Sequence, residues 1–376
     1  MKRRKVWRIL GVVLAIALLA VCEHVYTLYE QGAFDEQPGA ARPVMSDEMS
    51  DVDGELHIQF IDVGQADAAL IECEGEYMLV DGGNAPDSNL IYSVLERNKI
   101  NNLKYVIGTH AHEDHIGGLS GAFEYATADI VMCPVTDYDS KAFQNFAAGA
   151  DRNGGIVVPT VGDVYDLGGA SFQILAVNDV PDDTNNTSIV FKLTYGDTNF
   201  LFTGDAEREV EEQILAAGFD VSADVLKVGH HGSSTSTSYL FLREVEPTYA
   251  VISCEMGNSY GHPHDETLSR FRDAGVQLFR TDLQGDVFCT SDGENITFST
   301  AKEATAPVNP TAKERTPNTP PQLDEYNGRY VGNVNSLKLH TESCENLPAE
   351  KNRVYFSTLQ EALDTGYIPC GSCFGS

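Results

Sequence analysis

The sequence predicts an α/β protein with one large layered body and a small module after it. Three observations carry this prediction. Short apolar runs of strand length alternate with longer stretches of helical period, turn residues separate them, and a proline-rich segment after residue 300 interrupts the pattern. At 376 residues the chain is long enough for one large domain or two smaller ones. Its 42% hydrophobic and 9% aromatic content is typical of globular proteins.

The chain is strongly acidic, with a formal net charge of −31 at pH 7. Proteins that bind nucleic acid over a wide surface need a basic face that neutralises many phosphates. The charge weighs against that class of protein. Any phosphate-bearing substrate is therefore expected to be met locally, by cations.

Residues 1–28 are predicted to be a membrane anchor or a secretory signal. A basic cluster from Lys2 to Arg8 precedes an uncharged apolar run from Ile9 to Cys22. Flanking apolar residues extend this run toward the roughly 20 residues that a span needs. No small-x-small cleavage site precedes the polar stretch, so we favour an uncleaved single-pass anchor, with secretion after cleavage and lipid attachment at Cys22 as alternatives. The basic flank would stay in the cytoplasm and place the rest of the chain outside the cell membrane.

Composition divides the remaining chain into four parts. Residues 29–54 contain Pro, Gly and acids without apolar periodicity and are predicted to form an acidic tether. Residues 55–299 form the main body. Residues 300–325 hold five of the fifteen prolines and are predicted to be a linker. Residues 326–376 then form a separate small module.

The elements of the body are predicted from their periodicity and their boundaries. Strands are assigned to short runs rich in β-branched and aromatic residues: 57–63, 68–73, 77–81, 105–109, 188–195, 199–204, 224–229 and 249–253. Helices are assigned where apolar residues recur at three- and four-residue spacing after Ser or an acid: 88–98, 206–218 and 265–275. Strands and helices mixed in this way indicate α/β layers, with polar motifs at the strand ends.

The segment THAHEDHIGG, residues 109–118, follows a predicted strand and concentrates three histidines and two acids. Buried without partners, such groups would cost on the order of several kcal/mol, and protonated histidines would repel one another. A divalent metal removes both problems. Because an extended turn alternates direction, we expect His110 and His112 to face one ion and Asp114 and His115 a second. Zinc, manganese and iron accept these ligands; a solvated polar loop is the alternative.

The small module carries a second set of metal-type ligands. His340 and Cys344 are spaced HxxxC, and Cys370 and Cys373 are spaced CxxC, which together make a closed tetrahedral zinc set. A disulfide from Cys344 to one of the other two thiols is the alternative outside the cell. The remaining cysteines have no metal-like spacing and are expected to be buried, with a disulfide among them as an alternative: Cys73, Cys133, Cys254 and Cys289.

Several motifs occur in an order that resembles a known family. After DVGQADAALIE (62–72) and VDGG (80–83) come the histidine motif, FTGDAE (202–207) and LKVGHHGSSTSTS (226–238), and then NSYGHP (258–263) and RTDLQGDV (280–287). This order resembles the metallo-β-lactamase superfamily, and within it the hydrolase domain of ComEC-type DNA-uptake proteins and the related phosphorylcholine esterases. The resemblance covers residues 56–298. It implies an αββα sandwich with two divalent metals, zinc or manganese, at its strand ends.

The resemblance also assigns ligands beyond the histidine motif. Asp205 matches the bridging carboxylate, and one of His230 and His231 matches a ligand of the second metal. We choose His231 and expect His230 to support it or to face the substrate. True β-lactamases and glyoxalases carry a further histidine where this chain has Asn185 and Asn186. The first metal site, held by His110, His112 and Asp205, is therefore expected to be open or weakly held, and antibiotic hydrolysis is not expected.

Further residues are candidates for binding phosphate, for protonating the leaving oxygen or for contacting the substrate, because of their side-chain chemistry. The candidate catalytic residues are Asp114, Lys227, His230 and His262, and the candidate substrate contacts are Asn186, Ser233, Asn258 and His262. Lys227 and His262 each have a structural alternative, namely a buried stem and a loop cap. Asp81 is expected either to orient a ligand histidine or to form a turn with the glycines beside it, and Asp67 is a weaker candidate for the first role.

The small module resembles the zinc-binding module named after Ada-type repair proteins, through the spacing of GNxxS, HxxxC, NRVYF and GYxPCxxC between Gly332 and Cys373. So small a unit needs zinc to fold. Together the two resemblances imply a membrane-tethered, outward-facing phosphodiesterase that acts on DNA or another nucleic acid, with a separate uptake channel as a candidate partner. The alternatives are a phosphorylcholine-esterase-like enzyme acting on cell-wall or lipid substrates and a non-catalytic, metal-bound DNA-binding module.

Overall fold

The computed structural model describes residues 54–178 and 184–306, and residues 329–370 apart from 335, 343, 345–346, 357–361, 363–364 and 366. The predicted anchor, nearly all of the tether, most of the linker and Cys373 lie outside these residues. No helix among the described residues is long and apolar enough to span a bilayer.

The body contains strands and helices that alternate along the chain. Its strands are β1 (Leu56–Phe60), β2 (Ala69–Cys73), β3 (Glu76–Val80), β4 (Asn102–Ile107), β5 (Thr127–Met132), β6 (Ile156–Val157), β7 (Val164–Leu167), β8 (Ala170–Ala176), β9 (Val190–Tyr195), β10 (Thr198–Phe202), β11 (Val225–Lys227), β12 (Tyr249–Ile252), β13 (Gln277–Arg280), β14 (Val287–Ser291) and β15 (Ile296–Thr300). Its helices are α1 (Ser88–Arg97), α2 (Glu113–Ile116), α3 (Leu119–Tyr125), α4 (Lys141–Asp151), α5 (Arg208–Ala217), α6 (Tyr239–Val245), α7 (Asp265–Ala274) and α8 (Thr281–Gln284).

Two sheets pack face to face in the body. Over the described residues, one sheet has the order β15-β14-β1-β2-β3-β4-β5-β6 and the other the order β13-β12-β11-β10-β9-β8-β7. Their facing sides share one apolar core, to which Phe60 contributes from the first sheet and Phe191 and Phe202 from the second. The rings of Phe191 and Phe202 stack with centroids 4.8 Å apart. The core therefore buries the side of each sheet that alternates inward.

Helices cover the outer side of each sheet. Ile91 of α1 and Phe146 of α4 pack with Val106 of the first sheet. Ile214 of α5 and Phe271 of α7 belong to the corresponding cluster on the second sheet. The layers therefore follow the order helix, sheet, sheet, helix, which confirms the predicted αββα sandwich.

The predicted elements all have counterparts, with ends that differ by up to three residues. The predicted linker begins too early, because β15 continues to Thr300 and the Gln284 side chain donates a hydrogen bond to the carbonyl oxygen of Ala304. The sequence pattern missed α4, whose segment KAFQNFAAGAD is rich in alanine and contains a glycine. Its N-cap is Ser140, whose hydroxyl accepts from the Phe143 N–H.

The C-terminal module has its own sheet. Its strands are β16 (Tyr330–Asn333), β17 (Lys338–Thr341), β18 (Arg353–Phe356) and β19 (Ile368–Pro369), in the order β18-β16-β17-β19. A small cluster that includes Tyr330, Leu339 and Phe356 forms its core. Such a core is too small to stabilise the unit strongly by itself.

Candidate metal centre

The candidate site lies where neighbouring strands of both sheets end. β3 and β4 are parallel neighbours, and the residues that follow them are Asp81 and the histidine motif. In the second sheet, β10 and β11 are parallel and lead to Asp205 and His231. Since parallel strands present their carboxyl ends at the same edge, residues far apart in sequence meet there.

The histidine motif is partly extended and partly helical. His112 has extended backbone and serves as the N-cap residue of the short helix α2, which contains Asp114 and His115. The expectation of one extended turn is therefore wrong after His112. The helical turn carries His115 back toward His110, and their ring centres lie 4.1 Å apart.

Glycines after the motif let the chain pass close to the loop that follows β3. A Cβ atom on Gly118 would overlap the carbonyl oxygen of Gly82, and one on Gly117 would overlap the backbone N of Ala85. The Gly82 N–H donates to the His115 carbonyl at 2.7 Å. The two glycines therefore allow the close packing that holds the motif against β3.

Three overlapping groups of side chains in the described part of the body could hold a metal ion, with ligand atoms within 4.8 Å of one another in each. Asp67, Asp81 and His115 form one of them. The two that make up the candidate centre are His110, His115 and Asp205, and Asp114, His115 and His231. His115 belongs to both of these two groups, whereas the sequence assigned it to a single ion. His112 lies beside the first of the two, with its Nδ1 3.0 Å from the Nε2 of His110.

The donor atoms in these groups are suited to a divalent cation. His115 Nε2 lies 3.3 Å from Asp205 Oδ1, and His231 Nε2 lies 3.4 Å from Asp114 Oδ2. Within the part of the chain that the structure describes, the buried atoms His115 Nε2, Asp205 Oδ1 and His231 Nε2 make no hydrogen bond. Two ligand atoms that each lie about 2.0–2.2 Å from one ion are separated from each other by about the same distance as these two pairs. Buried polar atoms left unsatisfied in this way call for a cation.

The charges at the centre favour cation binding. Burial alone would raise the pKa of Asp205, but His115 and His231 more than offset this and hold that pKa well below its usual range. Burial, followed by His115, lowers the pKa of His110 well below its usual value. Burial would lower the pKa of His115, but Asp205 and then Asp81 more than offset this and raise it well above its usual value, so a metal that binds there would displace a proton.

Asp81 holds His115 from behind. Its carboxylate accepts hydrogen bonds from the Thr109 N–H and hydroxyl, and His115 Nδ1 lies 2.8 Å from Asp81 Oδ2. Such a carboxylate fixes the tautomer and the ring orientation of a ligand histidine. With Nδ1 engaged there, Nε2 of His115 is directed at Asp205.

His231 is supported in a similar way. Its Nδ1 lies 3.2 Å from the carbonyl oxygen of Ser253 and 3.5 Å from Asp67 Oδ1. Asp67 in turn accepts from Lys227 Nζ at 2.8 Å, and both of those side chains are buried. The Lys227 side chain is therefore buried in an ion pair and does not face the substrate, as in the structural alternative given above.

The consecutive residues His230 and His231 have different surroundings. Both have left-handed backbone, with φ of 50° and 52°, which lets neighbouring side chains turn to the same side. The Nε2 atoms of both lie 3.7 Å from Asp205 Oδ2. His231 is 2% exposed, and its Nε2 also lies 3.4 Å from Asp114 Oδ2. The His230 side chain is 22% exposed, and its Nδ1 lies 3.4 Å from Glu207 Oε1. The geometry favours His231 as the ligand and leaves His230 at the edge of the site.

Comparison with known proteins agrees with this fold and site. The family profile described as "Metallo-beta-lactamase superfamily" matches residues 61–255, which is more than half of the chain. The chain belongs to the metallo-beta-lactamase superfamily. The matched range contains the histidine motif, Asp205 and both members of the histidine pair.

Curated relatives of this superfamily member include proteins named for competence and recombination. "ComE operon protein 3" of Bacillus subtilis is 29% identical over 62% of this chain. "Competence protein ComA" of Neisseria gonorrhoeae is 28% identical over 62%, and "Recombination protein 2" of Haemophilus influenzae is 31% identical over 61%. The matched regions cover 33%, 32% and 28% of those proteins, so this chain corresponds to about a third of their length. The resemblance to ComEC-type proteins is thereby confirmed.

Solved structures of the same fold are more distant. The metallo-beta-lactamase fold protein YhfI of Bacillus subtilis is 16% identical with a TM-score of 0.42, and covers 60% of this chain and 96% of its own. A diphosphatase from the PhnP family is 15% identical with a TM-score of 0.36, and covers 59% of this chain and 94% of its own.

Three expected substrate contacts have side chains engaged in loop structure. Asn186 is buried and its side-chain oxygen accepts from the Glu207 N–H, while the Ser233 hydroxyl lies 3.0 Å from that of Thr235. The Asn258 side chain bonds to the backbone of its own loop. These bonds, together with the burial of Asn186 and Ser233, place the three side chains in the loops that support the site.

His262 is the remaining expected residue, and it lies at the site. Its ring centre is 5.5 Å from that of His230 and 6.3 Å from that of His231. Burial, followed by the neighbouring histidines, lowers the pKa of His262 to about 4. It is therefore neutral at neutral pH.

Sequence patterns did not reveal the groups that hold the loop after His231. Arg270, which is buried, donates to the carbonyl oxygens of Ser234, Ser236 and Thr237. The Glu211 carboxylate accepts from the Thr237 N–H on the other side of the loop. The sequence did contain one sign of these groups. Glu211 and Arg270 each lie on the apolar side of an amphipathic helix, and charged residues are rarely buried unless they are paired.

The C-terminal module brings three of its four expected zinc ligands together. Donor atoms of His340, Cys344 and Cys370 lie within 4.8 Å of one another, and His340 Nδ1 lies 3.2 Å from Cys344 Sγ. Cys344 and Cys370 form no disulfide within the described residues, and Cys373 lies outside them. The four cysteines of the body are buried as expected, as free thiols: Cys73, Cys133, Cys254 and Cys289.

Proposed function

We propose that this chain is a binuclear metal-dependent phosphodiesterase that acts on nucleic acid, with DNA as the foremost substrate. The observation that carries the proposal is the convergence of two ligand groups on His115 in a metallo-beta-lactamase. The names of the curated relatives, which refer to competence and recombination, support nucleic acid as the substrate class.

The proposed ligands start from the two groups and follow the family's pattern, with His112, which lies beside His110, in place of His115 at the first ion and with Asp205 shared. His110, His112 and Asp205 belong to the first ion, and Asp114, His115, His231 and Asp205 to the second. Bound there, zinc or manganese ions supply Lewis acidity toward a phosphoryl oxygen and raise the acidity of water at neutral pH. The Asn185 and Asn186 segment places no histidine beside the first group, so we expect the first ion to bind more weakly than the second.

The chain's own residues orient the reacting groups. Asp81 and Asp67 fix the rings of His115 and His231, so that neither imidazole has to reorganise during the reaction. His230 is the proposed donor of a proton to the leaving oxygen. Its Nδ1 lies against Glu207 and Thr235, and its Nε2 faces the site at 3.7 Å from Asp205.

The location and the second module are part of the proposal. Residues 1–28 would anchor the chain in the membrane with the body outside, and secretion is the alternative. The C-terminal module would bind one structural zinc through His340, Cys344, Cys370 and Cys373. A separate uptake channel is the proposed partner, and the support for it is that two of the curated relatives are named for competence or its operon.

A substrate panel tests the activity. The full chain, purified in detergent and loaded with Zn²⁺ or Mn²⁺, should hydrolyse single- or double-stranded DNA, and bis-p-nitrophenyl phosphate as a minimal diester. Asp205→Asn should abolish turnover, whereas Asp151→Asn, at an exposed helix end, should leave it intact. Absence of turnover on every substrate, with metal bound, would refute the proposal.

A second candidate is a phosphorylcholine-esterase-like activity on cell-wall or lipid substrates. The net charge of −31 favours this activity, as do the exposed acids Glu113 and Glu255 next to the site. A zwitterionic head group does not need a basic protein surface in order to bind. Cleavage of a phosphocholine ester without cleavage of DNA would select it. Binding of DNA without any hydrolysis would instead select a non-catalytic module.

A further inference from the structure

The loop that follows β12, residues 255–262, has a defined shape at the rim of the metal centre. The Asn258 side chain accepts from the N–H groups of Tyr260 and His262 and donates to the carbonyl oxygen of Glu255. Gln65 reaches the loop from the first sheet, accepting from the Glu255 N–H and lying 3.3 Å from His262 Nδ1. The loop is therefore held from within and from the opposite sheet.

Three rings form a series from the metal centre to the surface. The rings of His231 and His262 lie 23° from parallel with centres 6.3 Å apart. The rings of His262 and Tyr260 are also 23° from parallel, with centres 5.6 Å apart. Tyr260 is 68% exposed, so one face of its ring covers His262 while the rest of the side chain meets solvent.

We propose that Tyr260 is a stacking platform for a nucleobase of the strand whose phosphate lies at the metal centre. This inference rests on the proposed function, because it assumes that the phosphate lies at the metal centre. Two ring-to-ring steps, of 6.3 Å and 5.6 Å, separate the imidazole of His231 from the phenol, so the base that stacks on Tyr260 belongs to a nucleotide further along the strand than the one at the metal centre. Every base has a π face, so this platform tolerates any sequence.

Charge explains why stacking matters in this protein. Exposed acids lie on both sides of the platform, namely Glu255 at the start of the loop and Asp265 and Glu266 just after it. These acids provide no basic surface for a polyanion, so contacts to the sugar-phosphate backbone can contribute little to the affinity for nucleic acid. Bases of a duplex are already stacked on their neighbours. The platform therefore selects single strands and strand ends, with weak dependence on salt.

Binding and hydrolysis by the full chain test the platform. The probes are a short labelled oligothymidylate and an abasic oligomer of the same length, both with slowly cleaved phosphorothioate linkages for binding and with ordinary linkages for hydrolysis. Tyr260→Ala should raise the Kd and the KM for oligothymidylate by about tenfold or more and leave the abasic oligomer unchanged. Tyr260→Trp should retain wild-type values. Tyr355→Ala, which removes another exposed phenol, should have no effect.

The outcomes separate the platform from the enzymatic proposal. An equal effect of Tyr260→Ala on both oligomers, or no effect on either, would overturn the platform. If the wild-type chain binds neither oligomer, the platform is also overturned. If it hydrolyses nothing but binds oligothymidylate in a manner that depends on Tyr260, the proposed reaction fails and the platform stands.

Discussion

Lys227 Nζ lies 2.8 Å from Asp67 Oδ2, and the two side chains are buried although 160 residues separate them. The pair joins the end of β11 to the loop after β1, and so connects the two sheets beside the site. Asp67 also faces His231 Nδ1. A metal-facing histidine is thus held by a carboxylate whose charge is balanced from inside the protein.

Removal of either partner of this pair should destabilise the fold. Lys227→Met and Asp67→Asn should each lower the free energy of unfolding by about 3–5 kcal/mol, because the remaining charge is buried without its partner. The double variant should lose less than the sum of the two. Urea denaturation of chelated protein measures this. Lys192→Met, which breaks a pair with the exposed Asp220, should cost less than about 1 kcal/mol.

The stabilisation by Asp67 should depend on pH in a defined direction. Burial alone would raise the pKa of Asp67, but Lys227 and then His231 more than offset it and lower that pKa below its usual range. A lowered pKa stabilises the fold above the unfolded value of about 3.9 and ceases to do so as the pH falls through the folded value. The stability difference between wild type and Asp67→Asn should therefore be constant near neutrality and shrink below about pH 4. A difference that grows in acid would contradict this.

Asp205 should be required for metal content as well as for activity. It faces His110, His115 and His231. Asp205→Asn should therefore reduce the metal bound by the body from about two ions to one or none, measured by elemental analysis after dialysis. Asp151→Asn should retain full content. Wild-type metal content in Asp205→Asn would refute the bridging role.

Arg270 should control the loop that carries the histidine pair. Its guanidinium group holds three carbonyl oxygens between Ser234 and Thr237, so Arg270→Met should cost about 3 kcal/mol or more of stability. Hydrogen exchange of residues 233–238 should increase. Arg272→Met, two residues along the same helix, removes only a pair with Asp273 and should change neither.

The C-terminal zinc site should be separable from the metal centre. Cys344→Ser should lower the zinc content by about one ion and unfold the module, because zinc supplies stability that so small a core lacks. Hydrolysis of a small diester should persist. Unchanged zinc content in Cys344→Ser would favour the disulfide alternative or an empty site.

Local patterns in the sequence determined a large part of this protein. The αββα arrangement and the choice of Asp205 and His231 came from the resemblance to the metallo-β-lactamase superfamily, whereas strand runs and helical period predicted α/β layers and HxHxDH indicated a metal site. Spacing within a few residues carries such information, because each element imposes its own period on the chain. The ligand set itself stays a prediction.

Only the tertiary structure decided how the supporting residues are used. Lys227 is buried against Asp67, and the side chains of Asn186 and Ser233 form hydrogen bonds within loops. The helical turn in the histidine motif brings His115 into both ligand groups, and Tyr260 lies exposed beside His262. Each outcome depends on a partner distant in the chain or on a loop between elements. Burial and pairing of a polar side chain are set by what folds against it, and that contact has no period in the sequence.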